Sequence, residues 1–335
     1  GNANDDTRNY DGTASNVTYE YGLNFTPDFV WIAKRNISNY SHPLFDSSRG
    51  LSQPQAVYSD RTLQESNDGM VSFDTGGFTV NDTGNINRNN DTFVAWCLKA
   101  NGGTTSSNTD GSITSTVQAN TDAGFSIVTH TSASGTTAYT VGHGLGNAPQ
   151  IVITKRLNGT GGWVVQPVPL GNDKYLRLDT TDAVGTSTNF FNNTAPTDSV
   201  FSLKSGYSVL ANVPCVSYCF APVEGFSKFG SYTGNGVSGG GPIIETGFEP
   251  AFVMIKNTNT SNYGWYMFDN KRSPNQEKRL ILRADTDGAE YDGGYYLEFL
   301  SNGFRINTNS GPVNLNNGTF LYMAFAADPD TEQPT

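Results

Sequence analysis

A chain of 335 residues is long enough for two or three domains with cores of their own. Its formal net charge of −11, with only 20 Lys and Arg scattered along it, excludes a surface that tracks phosphates, so nucleic acid is not an expected partner. The longest apolar run, residues 320–327, is strand-sized and far short of the ~18 residues of a membrane helix, so no membrane insertion is expected, while 12% aromatic residues and 37 glycines suit short, aromatic-packed strands joined by tight turns.

In chain order the first landmark is Pro27, followed by Phe29, Val30 and Lys34. The pattern returns at Pro149 with Ile151, Val152 and Lys155, and at Pro250 with Phe252, Val253 and Lys256. The second and third occurrences lie 101 positions apart, as do the Gly-Phe-Ser openings at Gly124 and Gly225. No such opening precedes Tyr10, so the first copy is expected to begin clipped. Past each Lys an aromatic position holds His42, Trp163 and Trp265. A Phe followed by Gly-aromatic comes next: Phe73 with Gly77-Phe78, Phe201 with Gly206-Tyr207, and Phe299 with Gly303-Phe304. Each copy closes on an apolar strand, TFVAWCLKA from Thr92, PCVSYCFAP from Pro214 and TFLYMAFAA from Thr319, and the opening Pro lies 69, 69 and 73 positions before the aligned Trp96, Tyr218 and Met323.

Runs of four to eight Val, Ile, Phe, Tyr and Thr bounded by Gly, Asn, Asp and Ser predict an all-β protein of three tandem repeated antiparallel β-sandwich units, jelly-roll or lectin-like. Their spans are 1–103, 104–223 and 224–329, followed by a tail, 330–335. Pro27, Pro149 and Pro250 are read as structural, each opening a strand where a missing amide donor is tolerated. The closing strands, apolar on both faces, are read as central strands covered by a neighbouring repeat or subunit. Between the first two copies, residues 102–123 form a Gly/Ser/Thr-rich segment with one short strand expected at 112–117.

Chemistry is sparse. His42, His130 and His143 are read as partly exposed strand or loop residues, and no G-x-S-x-G, H-E-x-x-H or C-x-x-C occurs. Glutamates show no clustered placement. Asp46 with Asp269, and Asp60 with Asp179 and Asp285, recur at equivalent positions, which suits turns and side-chain-to-backbone bonds better than one catalytic centre. No catalytic residue, cofactor or enzymatic activity is therefore expected. The Asn/Asp-rich loop 81–91 lacks the order of a calcium loop and is read as structural, with calcium left as an alternative. Cys97, Cys215 and Cys219 are read as reduced, buried hydrophobes, and the Asn-x-Ser/Thr triplets, such as Asn36 and Asn158, permit glycosylation without indicating it. Trp163 and Trp265, the latter near Tyr263, are the candidate ligand contacts, able to stack on sugar rings at a loop edge. Their equivalent positions argue for core packing instead. Binding is otherwise expected where the copies differ, in loops 81–91, 182–199 and 270–278.

The segments DGSITSTVQANTDAGFSIVTHT from Asp110, TVGHGLGNAP from Thr140 and VEGFSKFGSYTGNG from Val223 resemble repeats of an uncharacterised family found in tail fibres and other virion appendages of bacteriophages, many of them marine. The resemblance implies a phage structural protein built of β-domains and carries over no catalytic residue. With the low charge, the Gly/Asn/Thr-rich turns and the doubly apolar closing strands, the leading expectation is a non-enzymatic protein of the virion surface, a tail fibre or appendage assembled with other virion proteins and as a homo-oligomer, trimeric by preference, and attached to a host surface glycan or protein or to the capsid or tail. A secreted or cell-surface carbohydrate-binding module is the alternative expectation, and a polysaccharide depolymerase the third.

Overall fold

The computed structural model describes residues 23–50, 56–81, 83–206, 209–275 and 277–327. The expected clipped start and the 330–335 tail lie outside them. The protein is nearly all β, built of antiparallel sheets.

Three large sheets share a central arrangement. A four-stranded sheet runs Val57–Tyr58, Pro43–Asp46, Phe29–Lys34, Phe93–Leu98 from edge to edge. A six-stranded sheet runs Val164–Pro167, Ile151–Arg156, Pro214–Phe220, Phe125–Thr131, Ser115–Asn120, Ser106–Asn108. An eight-stranded sheet runs Ser227–Thr233, Thr319–Ala326, Pro250–Asn257, Trp265–Asp269, Glu277–Arg283, Tyr291–Leu300, Gly303–Ile306, Ile243–Glu245. In each, the strand after the marker proline lies between the strand after the aromatic position and the closing strand. The registers agree as well: Trp31 faces Trp96, Ile153 faces Tyr218, and Met254 faces Met323. The eight-stranded sheet folds back until its two edge strands approach one another, Lys228 donating to the Glu245 carbonyl at 2.8 Å.

Because side chains alternate across a strand, each sheet buries two sets of residues. One set packs inward over its own second layer. Val30 and Ile32 meet Met70 and Val80 of the hairpin Met70–Asp74/Gly77–Val80. Val152, Cys215 and Cys219 meet Tyr139, Val141, Phe201 and Leu203 of the pair Ala138–Gly142/Val200–Lys204. Val253, Ile255, Phe320 and Tyr322 meet Leu297, Phe299, Phe304 and Ile306.

The other set points away from those cores and converges on one shared core. Phe29, Trp31 and Leu44 of the first sheet, Ile151, Ile153, Val216, Tyr218 and Phe220 of the second, and Met254, Met267, Leu321 and Met323 of the third all belong to it. Edge-to-face aromatic pairs mark each junction: Phe29 with Tyr218 at 4.9 Å, Phe220 with Phe325 at 6.0 Å, and Trp96 with Phe252 at 5.7 Å between ring centroids. The neighbour that covers the doubly apolar closing strands thus comes from the same chain.

Two expectations shift locally. Pro250 begins its strand, with a bulge between Pro250 and Phe252, whereas Pro27 and Pro149 stand two residues before Phe29–Lys34 and Ile151–Arg156. The segment after Gly102 forms two short strands, Ser106–Asn108 and Ser115–Asn120, instead of one at 112–117. They extend the six-stranded sheet, and Gln118 bridges to the first sheet's segment by donating to Ser47 and Ser48 and accepting from the amides of Asn101 and Gly103.

Candidate functional site

The chemically richest region is the ring of junctions around the shared core. At the aromatic position each sheet reaches one neighbour. Trp163 Nε1 donates to the Tyr58 carbonyl at 2.7 Å, from the six-stranded to the four-stranded sheet. Trp265 Nε1 donates to the Arg177 carbonyl at 2.8 Å, from the third sheet toward the second segment. His42 closes the circle, buried against the backbone of Arg283 in the eight-stranded sheet. One recurrent carboxylate holds each of these positions. Asp60 accepts the His42 amide at 3.0 Å, Asp179 the Trp163 amide at 2.9 Å, and Asp285 the Trp265 amide at 2.6 Å. These are the side-chain-to-backbone bonds expected of the recurrent Asp.

Lys34, Lys155 and Lys256 are fully buried beside them. Lys34 lies 2.7 Å from Asp91 and over the Tyr40 ring. Lys155 donates to the carbonyls of Gly161 and Arg61, and Lys256 to that of Tyr263, so each peg holds the loop that follows its strand. Burial pulls Lys155 and Lys256 down to about 8, against the opposing pull of Asp179 and Asp285.

A second motif recurs at two junctions. Asp46 pairs with Arg49 at 2.6 Å and Arg49 with Glu65 at 2.5 Å. Asp269 pairs with Arg272 at 2.6 Å and Arg272 with Glu290 at 2.8 Å. Onto each Asp comes the closing-strand residue of another sheet: Tyr218 donates to Asp46 at 2.8 Å, and Trp96 to Asp269 at 3.2 Å. Burial would raise Asp269, but Arg272 beside it holds it below its ordinary value. The third junction has no such pair. Its counterparts of Asp and Arg are Pro167 and Leu170, its closing-strand residue is Met323, and Leu170 and Met323 share the central core. The chemistry of each closing strand therefore matches that of its neighbour, polar with polar and apolar with apolar. Sequence reading did not link these positions, although the joint change from Tyr218 or Trp96 to Met323 and from Asp to Pro167 was its visible trace.

The candidate ligand contacts lie inside this ring. Trp163 is 0% and Trp265 1% exposed, so neither ring offers a face to solvent, and core packing accounts for both. Tyr263 is half-buried and holds Lys256 through its carbonyl. All three histidines are buried, correcting the expectation of partial exposure. His130 sits between Tyr139 and Phe201, and burial lowers it to about 4. His143 accepts the Leu145 amide at Nδ1 and meets the Thr197 carbonyl with Nε2, which selects the neutral Nε2–H form, and burial lowers its pKa.

The variable loops are anchored too. Loop 81–91 buries Ile86 and sends Asn85 to Asp68 at 2.8 Å. Loop 182–199 buries Phe190 and Phe191, Tyr175 stacking on Phe190. In loop 270–278, Lys278 donates to the carbonyls of Ser273 and Asn275. Exposed surface remains at tips such as residues 192–195. Among the described residues no group of three or more His, Cys, Asp or Glu is placed to hold a metal ion. An open depression lined by Ile243, Glu245, Glu249, Leu300, Ser301 and Asn302 lies at one edge of the eight-stranded sheet.

A family described as a domain of unknown function (DUF7483) matches residues 4–329 of the chain. No curated protein and no solved structure matches it.

Proposed function

The chain belongs to the DUF7483 family, and from its geometry we propose that it is a non-enzymatic virion structural protein, a tail fibre or surface appendage of a bacteriophage. In this reading it is built of three tandem antiparallel β-sandwich units, 1–103, 104–223 and 224–329, closed around a shared core. The observation that carries the reading is where the buried polar chemistry goes. Trp163, Trp265, the Asp–Arg–Glu sets and the buried lysines bind one sheet or loop to another, an arrangement that commits these groups to fixing shape. Such a scaffold presents its exposed loop tips to a host surface glycan or protein, or docks on the capsid or tail. The resemblance of residues 110–155 and 218–236 to phage appendage repeats supports the same reading.

Mass spectrometry of purified particles, combined with antibody labelling in electron micrographs, tests it. The chain is expected in washed particles, located on their surface. Its recovery only as free protein, absent from particles, would overturn the proposal.

A further inference from the structure

Lys34 differs from its counterparts in what it meets. Lys155 and Lys256 end on backbone carbonyls, whereas Nζ of Lys34 lies 2.7 Å from Oδ2 of Asp91. Asp91 stands directly before the closing segment that starts at Thr92, where the other two copies have Val213 and Gly318. The register explains the meeting: Lys34, the last residue of its strand, pairs with Phe93, the first of the closing strand. Both side chains are out of water, at 0% and 4% exposed. Close as it is, the contact lacks the angles of a hydrogen bond, so the amine rests against the carboxyl group and is not spent on one.

Neighbouring groups fix this approach. The centre of the Tyr40 ring lies 3.2 Å from Nζ and that of Phe93 at 5.5 Å, and Arg88 donates to the Tyr40 hydroxyl. On the carboxyl side, Asn36 donates from Nδ2 to Oδ1 of Asp91 at 3.3 Å and accepts the Thr92 amide at 3.1 Å. One carboxyl oxygen is thus held by a donor while the other faces the amine.

We propose that Lys34 and Asp91 are the site of a self-formed isopeptide bond, an amide between their side chains. The ammonium first passes a proton to Oδ2, and the freed lone pair attacks Cγ. As the C–N bond forms and the bond from Cγ to Oδ2 breaks, a second proton follows and Oδ2 departs as water; the third proton stays on the amide nitrogen. A cation and an anion become one neutral amide, so the step needs no oxidant, reductant or cofactor. Contact between the buried partners replaces a bimolecular encounter. Amide formation also removes an ion pair whose desolvation is costly, and Asn36 donates to the oxygen on which charge develops at the tetrahedral stage. The bond ties the end of Phe29–Lys34 covalently to the entry of Phe93–Leu98.

Mass spectrometry of the full chain, unfolded in acid after incubation in its folded state, reads the bond. The parent is expected one water lighter than its sequence mass, and Lys34→Arg and Asp91→Ala at their full sequence masses. Cyclisation at an Asp-Gly step such as Asp110-Gly111 also releases water, so a tryptic digest locates the loss. A branched peptide joining the fragments that contain Lys34 and Asp91 is expected, with cleavage after Lys34 blocked. A parent at full mass overturns the proposal, as does the same loss in either variant or a loss that maps to other residues. The parent alone gives the first reading, so a variant that fails to fold leaves the test intact.

Discussion

Tyr218 donates its phenolic hydrogen to Asp46 at 2.8 Å across 172 residues of chain, while Asp46 also holds Arg49 at 2.6 Å. Both partners are buried, so the bond ties the closing strand of the second sheet to the end of Pro43–Asp46 in the first. Tyr218→Phe keeps the ring against Phe29 and removes only the hydroxyl. It is expected to cost about 1–3 kcal/mol, read as a lowered melting temperature. Met323→Leu, at the matching apolar junction, is expected to cost under about 1.5 kcal/mol.

The tryptophan anchors separate scaffold from ligand platform. Trp163→Phe and Trp265→Phe each remove one bond to a neighbour's carbonyl, for an expected loss of about 1–3 kcal/mol, and the alanine variants are expected to lose about 3–5 kcal/mol. On a glycan array the phenylalanine variants should behave like the parent chain. A parent that binds sugar and loses that binding in a folded phenylalanine variant would revive the platform reading.

Acid should destabilise the fold before carboxylates titrate. His130 is lowered from 6.5 to about 4 by burial, so between those values the unfolded chain takes up a proton that the folded chain refuses. Its contribution is nil above pH 6.5 and grows unfavourable as pH falls, reaching about 3 kcal/mol near pH 4. His42 and His143, also lowered by burial, act in the same direction. Chemical denaturation from pH 7 to 4 should show a shallower decline for His130→Phe than for the parent.

Alkali acts in the opposite sense. Lys155, Lys256 and Lys278 are pulled by burial from 10.5 to about 8, so between these values the unfolded chain holds more protons and stability rises with pH. The gain is on the order of 1–3 kcal/mol per lysine. Above pH 10 the sign reverses, because buried tyrosines, Tyr58 pushed up to about 12 among them, keep protons that the unfolded chain releases. A stability maximum near pH 9 to 10 in urea titrations is the expected outcome.

Two of the three thiols should be inert, Cys97 being half-buried where the sequence reading expected it buried. Burial pushes Cys97 and Cys215 up to about 12 and raises Cys219 further above its ordinary value, and all three are free. Cys215 and Cys219 are buried while Cys97 is half-buried, so a colorimetric thiol reagent at pH 8 is expected to find at most one thiol in the native chain and three after denaturation.

Much of this was legible in the residues. Period-2 alternation, the marker prolines and the doubly apolar closing strands are local properties and place the strands, while the register that sets Ile153 opposite Tyr218 comes from the fold. The recurrent Asp60, Asp179 and Asp285 were legible for the same reason, since each bonds a nearby backbone amide. What a doubly apolar strand does not say is whose surface covers it. Phe220 meets Phe325 of the same chain, where the pattern alone allowed another subunit. The histidines were misjudged similarly, because a side chain in a strand or turn is exposed or buried according to what another segment lays over it, whereas the equivalent positions of Trp163 and Trp265 already argued for core packing. The oligomeric state is therefore read from light scattering and not from the closing strands.

The central claim is that three sheets share one core and stand or fall together. Hydrogen exchange read by mass spectrometry along a urea titration, in peptides covering Phe29–Lys34, Ile151–Arg156 and Pro250–Asn257, tests it directly. One common midpoint, shifted in all three peptides by Trp265→Phe, is the predicted result. Separate midpoints, with the shift confined to Pro250–Asn257, would contradict it.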